Sequence, residues 1–241
     1  MPPNPTTIVL VTPVWNDSRR LGIFGPQLAA SLATWNLDIA WVISDDGSKA
    51  EDLVQLQSLC AQLRLIYPKT SLFQLPQHQG KGAAVVEAWR QNLATQIYAF
   101  IDADGAINTQ NLHAILLNAL SQKNTAVIGV RKFGGDKKIK MTLIRRLTHY
   151  VFMRLAQMLT GLSVSDPQCG VKCIPAGFFN TTNHALKENG MAFDCELLLS
   201  LQQQGISIEE IPIDWFDKPN GSFNALNSFL PMLCTLWKLR R

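Results

Sequence analysis

Charged side chains are scarce in this sequence of 241 residues, at 17% of the total against 47% hydrophobic residues. This composition is typical of an ordered protein, and the length allows one large domain with a substantial core. The five cysteines are odd in number and lack paired C-x-x-C spacing, so we expect reduced, packed thiols. A net charge of +4 gives no indication of a nucleic-acid partner.

Long apolar runs are also missing. No uncharged run reaches the roughly 18 residues that span a bilayer, so we expect no transmembrane segment. The first residues, MPPNPTTIVLV, lack the basic segment and long apolar core of a signal peptide. A cytoplasmic protein is therefore expected.

Strand-like and helix-like segments alternate through the first 130 residues. Apolar β-rich runs predict strands over 7–14, 39–44, 71–75, 96–101 and 125–131. Helical spacing predicts helices over 19–35, 51–64, 80–93 and 108–121. This alternation predicts an α/β domain, 1–222, with a largely parallel twisted sheet covered by helices on both faces. Ligands bind such sheets beyond the carboxyl ends of the strands.

Two carboxylates, Asp102 and Asp104, follow the apolar run 98–101. Side chains alternate along an extended backbone, so both are expected on one side, where the two anions repel each other. Mg²⁺ or Mn²⁺ is held by one or two such carboxylates and completed by substrate phosphates. An Asp-Gly turn is the structural alternative.

Polar residues also follow the first two strands. Asn16 and Asp17 follow the first, and Asp45 and Asp46 follow the second. The second pair offers acceptors for the base N–H and ribose hydroxyls of a nucleotide, or alternatively an Asx turn with a helix cap at Ser48.

Three further polar segments are candidates for a ligand-binding site. The loop 79–82, QGKG, could bring backbone N–H groups and one ammonium to a phosphate, although it lacks the spacing of a Walker A loop. Residues 166–172, DPQCGVK, predict a tight polar turn. Asp194 and Glu196 stand near a helix start, where acids complement the helix dipole. A strand is predicted over 210–215.

The segment 131–162 is basic and amphipathic. Eight basic residues and one acid lie between positions 131 and 154, and apolar residues recur at helical spacing from 144 to 162. Such a helix is typical of a membrane surface, but a core helix with a solvated basic face has the same pattern. The tail, 223–241, predicts a second amphipathic helix, at an interface or packed on the domain.

In their order, these motifs resemble the family 2 glycosyltransferases of the GT-A fold, specifically the branch that contains dolichyl-phosphate glucose and mannose synthases. The resemblance runs from about residue 8 to 222. The residues that it assigns to nucleotide-sugar binding are Pro13, Trp15, Asn16, Asp17, Asp45, Asp46, Lys81 and Asp102. It assigns the metal to Asp102 and Asp104 and the acceptor phosphate to Arg131. The remaining motif positions are Asp166, Gln168, Lys172, Asp194 and Glu196.

The resemblance implies an inverting, metal-dependent transfer of a hexose from a nucleotide sugar to a polyprenyl phosphate. Ala106 stands where the mannose synthases tend to carry glutamine, which favours UDP-glucose over GDP-mannose. The chain departs from the family pattern at Trp15, Asp17, His78 and Val171, where Tyr, Glu, Asn and Phe are usual.

The acceptor determines which residues the reaction needs. A sugar hydroxyl needs a general base, for which Asp166 is the candidate. A phosphomonoester is largely dianionic at pH 7, so it needs positioning cations, here Arg131, Arg145 and Arg146. This acceptor predicts peripheral association with the inner face of the membrane. The alternatives are a family 2 enzyme acting on a soluble sugar or glycan hydroxyl, a sugar-phosphate nucleotidyltransferase and a non-catalytic binding module.

Overall fold

The computed structural model describes residues 7–92, 95–131, 138–140, 143–216 and 235–237, with the backbone alone at 140, 143–149 and 152. The strands are β1 (Ile8–Val14), β2 (Ile39–Asp45), β3 (Thr70–Gln74), β4 (Ile97–Ile101), β5 (Thr125–Val130), β6 (Ile139–Lys140), β7 (Val171–Pro175), β8 (Ser207–Pro212) and β9 (Trp215–Phe216). The helices are α1 (Ser18–Thr34), α2 (Ala50–Ile66), α3 (Lys81–Arg90), α4 (Thr109–Ser121), α5 (Leu143–Thr160), α6 (Ala176–Thr182) and α7 (Phe193–Gln203).

Seven strands form the main sheet, in the order β3-β2-β1-β4-β7-β5-β8. The pairs among β1 to β4 are parallel, as is β5 with β8, whereas β7 is antiparallel to both of its neighbours. The carboxyl ends of β1, β2 and β4 therefore lie at one edge, beside the amino end of β7. A two-stranded parallel sheet, β6-β9, completes the set of described strands.

Both faces of the sheet are buried. Ile8 and Leu10 of β1 pack into the cluster formed with α1, α2 and α4, whereas Val9 and Val11 pack on the opposite side with α3 and α7. This explains why the strands are continuous apolar runs, since a strand covered on both faces has no solvent side to keep polar.

The predicted first five strands and first four helices are confirmed, with ends within about three residues. The turn predicted over 166–172 is wrong at its end, because Val171 and Lys172 begin β7, which pairs with both β4 and β5. The strand predicted over 210–215 is two strands, β8 and β9, separated by Ile213 and Asp214. Among the described cysteines, Cys60, Cys169, Cys173 and Cys195 are buried and unpaired, as expected.

The basic helix predicted from 144 onwards is confirmed as α5. Arg145 and Arg146 lie on it, but their side chains are outside the described residues. Of the tail helix predicted over 223–241, only 235–237 is described, as a helical turn whose Leu236 packs with Ala156 and Cys195. None of the helices in the described part of the chain combines the length and the hydropathy that a bilayer crossing requires.

Candidate active site

The loop after β4 carries Asp102 and Asp104 at the carboxyl edge of the sheet. The Asp102 backbone N–H donates to the Gly170 carbonyl at 2.9 Å, which ties this loop to the residue before β7. A Cβ atom at Gly170 would lie 2.1 Å from Asp102 Oδ2, so only glycine leaves room for the carboxylate. Asp104 Oδ1 accepts from the Ala106 N–H at 2.9 Å. Side-chain exposure is 31% at Asp102 and 22% at Asp104, so a ligand can reach both.

The charge of Asp104 is unfavourable in the free protein. Burial and the neighbouring Asp102 carboxylate raise the pKa of Asp104 above its ordinary value, against the opposing effects of the Ala106 N–H, Arg20 and Lys81. A divalent cation would relieve this repulsion. In the described residues no group of three or more His, Cys, Asp or Glu side chains could hold a metal. Two accessible carboxylates nevertheless fit Mg²⁺ or Mn²⁺, which take their other ligands from water and substrate phosphates.

Lys81, the first residue of α3, links this carboxylate pair to the interior. Its Nζ lies 2.9 Å from Asp102 Oδ1 and 3.2 Å from Asp194 Oδ2. Asp194, in the first turn of α7, also accepts from Lys172 Nζ of β7 at 2.5 Å. Burial opposes the charged form of Lys81, but Asp102 and Asp194 raise its pKa above the ordinary value, so Lys81 remains protonated. The structure thus brings four predicted site residues into one chain of ion pairs.

The backbone of the glycine-lysine loop is already engaged. The Gly80 N–H donates to the Asp46 carboxylate, and the N–H groups of Gly82 and Ala83 donate to the Asn189 carbonyl. Gly80 has φ +117°, and a Cβ atom there would lie 2.3 Å from the Asn189 oxygen. The N–H groups of Gln79, Gly80 and Gly82 are therefore used within the protein, and the ammonium of Lys81 is the charged group that this loop brings to the site.

Glu196 holds the segment that contains Asn189, on which the glycine-lysine loop packs. Its carboxylate accepts from the N–H groups of Lys187 at 3.0 Å and Glu188 at 2.8 Å, and so fixes the segment on which the loop packs. Glu196 is consequently a structural residue in the described protein and contacts the site only through that segment. Gln168 is half-buried in the turn before β7.

Arg131 and Asp166 form a buried pair. The guanidinium Nε and Nη2 donate to the two oxygens of Asp166 at 2.7 Å each, and the Arg131 backbone N–H donates to Oδ2 at 3.0 Å. The guanidinium also lies over the Trp215 ring, 4.6 Å from its centre. Burial opposes the charge of Arg131, but Asp166, and more weakly Asp102, raise its pKa. Because the Asp166 oxygens accept three hydrogen bonds and the side chain is 2% exposed, the free protein does not present Asp166 as a general base.

Asp45 and Asp46 shape the loops after β2 and β3. Asp45 accepts from the N–H of Ser48, three residues on and not two as in the Asx turn considered above, and Lys49, not Ser48, is the residue before α2. Asp46 accepts from His78 Nδ1 and from the Gln79 N–H, each at 2.8 Å. Both carboxylates are nearly inaccessible, at 0% and 2% exposure.

The first motif lies beside these loops. Trp15 is exposed and stacks on His78, with ring centres 3.9 Å apart. Asn16 has φ +48°, and its side chain accepts from the Lys49 N–H. Pro13 lies within β1, beside Ser44 of β2. An aromatic pair is thus held next to the strand ends, where a nucleotide base could stack.

Two residues that contact the site or its supporting loops, Arg20 and Asp52, were not identified from the sequence. Arg20 Nε donates to both oxygens of Asp17, and its Nη1 lies 3.9 Å from Asp104 Oδ2. Its position three residues after Asp17 on a helix was the available signal. Asp52 accepts from the backbone N–H groups of Asp17 and Ser18 and so fixes the start of α1. Asp52 gave no signal, because its partners lie 34 and 35 residues away.

Comparison with known proteins agrees with this architecture. The chain is 28% identical to a dolichyl-phosphate beta-glucosyltransferase of Saccharomyces cerevisiae over 90% of its own length and 69% of that protein. It is 25% identical to another of that name from Trichomonas vaginalis over 88% of its length, spanning 65% of the relative.

Solved structures share the fold at lower identity. Mannosyl-3-phosphoglycerate synthase from Rubrobacter xylanophilus superposes with a TM-score of 0.68 at 14% identity, over 97% of this chain and 72% of that one. Glucosyl-3-phosphoglycerate synthase from Mycobacterium tuberculosis, in complex with Mn²⁺, UDP-glucose and phosphoglyceric acid, gives 0.60 at 16% identity, over 96% and 77%. These neighbours establish the GT-A fold. The model of the family described as "Glycosyl transferase family 2" matches residues 10–174, and the chain belongs to this family of glycosyltransferases.

Proposed function

We propose that the protein transfers a hexose from a nucleotide sugar, with UDP-glucose favoured over GDP-mannose, to a polyprenyl phosphate at the inner face of the membrane. The observation that carries this proposal is the buried guanidinium of Arg131, fixed by Asp166 and Trp215 immediately after β5. Asp166 accepts from the Nε and Nη2 donors of this guanidinium, so Arg131 offers a phosphate a fixed positive charge, whereas a hydroxyl acceptor would need a base that the paired Asp166 does not present. The names of the curated relatives support the same acceptor class.

Each end of the site then has its own task. Asp102 and Asp104 would hold Mg²⁺ or Mn²⁺, which when bound would neutralise charge on the leaving diphosphate. Lys81 adds an ammonium beside Asp102. Arg131 positions the acceptor phosphate, whose oxygen attacks the anomeric carbon as the bond to the nucleotide diphosphate breaks, with inversion. Asp166 acts as a positioning residue that orients Arg131.

Helix α5 supports a membrane location. Tyr150, Val151 and Met158 are exposed, Met158 at 81%, whereas Ala156 is the fully buried residue among the described side chains of α5 and packs with Cys195 of α7. Val151 and Met158 belong to the apolar stripe predicted from the sequence, so part of that stripe faces outward. Arg154 is exposed on the same helix and lies near the Tyr150 ring. Exposed apolar side chains among basic residues suit the surface of an anionic bilayer.

Donor and acceptor are tested together with radiolabelled UDP-glucose and GDP-mannose, each offered with a polyprenyl phosphate or with simple sugars. We expect label in the organic phase from UDP-glucose and polyprenyl phosphate, with Mn²⁺ or Mg²⁺ and not with EDTA. The Asp104→Ala variant should lose this transfer while it keeps its melting temperature, because the charge removed is an unfavourable one. Label transferred only to soluble sugars would contradict the lipid acceptor, and full activity in EDTA would contradict the metal.

A further inference from the structure

Four charged side chains alternate in sign from the interior to the site. Lys172 Nζ contacts Asp194 Oδ1, Asp194 Oδ2 contacts Lys81 Nζ, and Lys81 Nζ contacts Asp102 Oδ1. Two ammoniums and two carboxylates thus form a chain without net charge. We call these residues the charge chain.

The two ends of the charge chain differ in how exposed their side chains are. Lys172 is fully buried and also donates to the Cys169 carbonyl at 2.8 Å, and Asp194 is 2% exposed. This inner pair is fixed, since separating two buried charges would leave both without compensation. Lys81 is 12% exposed and Asp102 is 31% exposed, so the outer pair borders the site. A ligand can therefore reach the contact between Lys81 and Asp102 more readily than the inner pair.

That contact conflicts with a metal at Asp102. The Lys81 ammonium lies 2.9 Å from Asp102 Oδ1, where it neutralises the carboxylate in the free protein. A divalent cation at the same carboxylate would repel the ammonium. Asp194, already shared with Lys172, compensates Lys81 only in part. A donor diphosphate would supply the missing anion, because it arrives where the metal binds.

We propose that Lys81 is an exchangeable counter-ion, which neutralises Asp102 in the free protein and turns to the donor diphosphate when a divalent metal binds Asp102. This inference rests on the proposed function and adds to it a coupling between the binding of the metal and the binding of the donor. Metal alone must displace Lys81 from Asp102 with only Asp194 left to compensate its charge, and diphosphate alone meets a Lys81 already paired. Each ligand therefore facilitates the other, and linkage makes this coupling reciprocal. Asp194 and Lys172 are positioning residues, which keep the Lys81 side chain within reach of both partners.

The test measures binding, with Lys81→Met as the variant. Mn²⁺ affinity without nucleotide is measured by electron paramagnetic resonance of the free ion, and UDP affinity in EDTA by calorimetry. Without Lys81, Mn²⁺ alone should bind about tenfold more tightly, as expected for a typical coupling between sites. UDP alone should bind more weakly, and the factor by which UDP tightens Mn²⁺ binding should fall.

Lys69→Met is the matched control. Lys69 pairs with Asp38 before β3, at the opposite edge of the sheet, so the same loss of charge there should leave both affinities unchanged. If Lys81→Met does not fold, Lys81→Gln retains a hydrogen bond for Asp194 and carries the same expectation.

The outcomes separate this inference from the function on which it rests. Unchanged or weaker Mn²⁺ binding by the folded Lys81 variants, with Mn²⁺ and UDP bound by the wild type, would overturn the exchange alone. Failure of the wild type to bind Mn²⁺ even with UDP would overturn the proposed metal role as well.

Discussion

At the scale of single residues, the pair of Arg131 and Asp166 determines how the acceptor site can be tested. Arg131→Ala would leave the Asp166 carboxylate buried without its partner, which costs about 3–5 kcal/mol of folding stability. Loss of activity in that variant would then report unfolding as much as acceptor binding. A lysine at position 131 keeps the charge and removes the planar fork.

We expect Arg131→Lys to fold and to raise the acceptor KM about tenfold, with the KM for the nucleotide sugar unchanged, because an ammonium cannot keep the two-point contact with Asp166 that fixes the positive charge at this position. Steady-state kinetics with each substrate varied in turn measures this. Arg64→Lys is the control, since Arg64 donates to the Thr70 carbonyl at the far edge of the sheet. An unchanged acceptor KM in the folded variant would remove Arg131 from the acceptor site.

The acidic pair shows how far single residues can be predicted. Asp102 and Asp104 follow an apolar run, which was enough to place them just after a strand, but the extended backbone expected there is wrong, because residues 103–104 form a turn in which Asp104 accepts from the Ala106 N–H. The partner of Asp102 could not be read in the same way. Lys81 approaches it because α3 begins beside β4, and Asp194 reaches Lys81 from 113 positions further along the chain. Contacts at that separation follow from the sheet order, which no local pattern encodes.

At the scale of elements, α5 carries the prediction about the membrane. Met158→Glu should reduce sedimentation of the protein with anionic liposomes several-fold, because a charge replaces an apolar side chain at the proposed bilayer surface. Binding by the wild type should also fall as salt concentration rises.

Leu65→Glu on α2 is the control for α5, because Leu65 is exposed to a similar degree, 87%, on a helix without the basic cluster. Equal loss of binding in both variants would indicate a general effect of charge. Absence of binding by the wild type at any salt concentration would contradict the membrane proposal.

Strand β7 shows where prediction of elements from the sequence failed. Its five residues, VKCIP, include a fully buried lysine at the second position, which is unusual in an interior strand. The charge is tolerated because Asp194 and the Cys169 carbonyl receive the Lys172 ammonium. A strand whose buried charge is compensated by a distant helix has no apolar pattern by which to find it. The same reasoning explains why the neighbouring segment was interpreted wholly as a turn.

At the scale of the whole molecule, burial makes the described thiols inert. Burial raises the pKa of Cys169 and of Cys195 to about 12, and that of Cys173 further, so at neutral pH none is a thiolate. In a Cys234→Ser background, which removes the cysteine outside the described residues, we expect no reaction with a chromogenic disulfide reagent at pH 8. In guanidinium chloride the same protein should release four equivalents, from Cys60, Cys169, Cys173 and Cys195.

Labelling of the native variant at a rate independent of denaturant would contradict the buried positions of these thiols. The odd number of cysteines and the absence of paired spacing predicted such packed thiols, whereas the alternation of strands and helices predicted the sheet. The antiparallel insertion at its centre was beyond that pattern, since a parallel arrangement satisfies the same alternation.

The central position of β7 has a consequence for synthesis of the chain. β4 and β5 are made early but do not pair with each other, because β7 separates them. Until residue 175 leaves the ribosome, each presents an open edge of backbone donors and acceptors, which invites pairing with another nascent chain. Pairing of β7 closes these facing edges and sets the Gly170 carbonyl against the Asp102 N–H, so the nascent protein joins β4 to β5 in the step that fixes the loop of its acidic pair, and β8 later covers the other edge of β5.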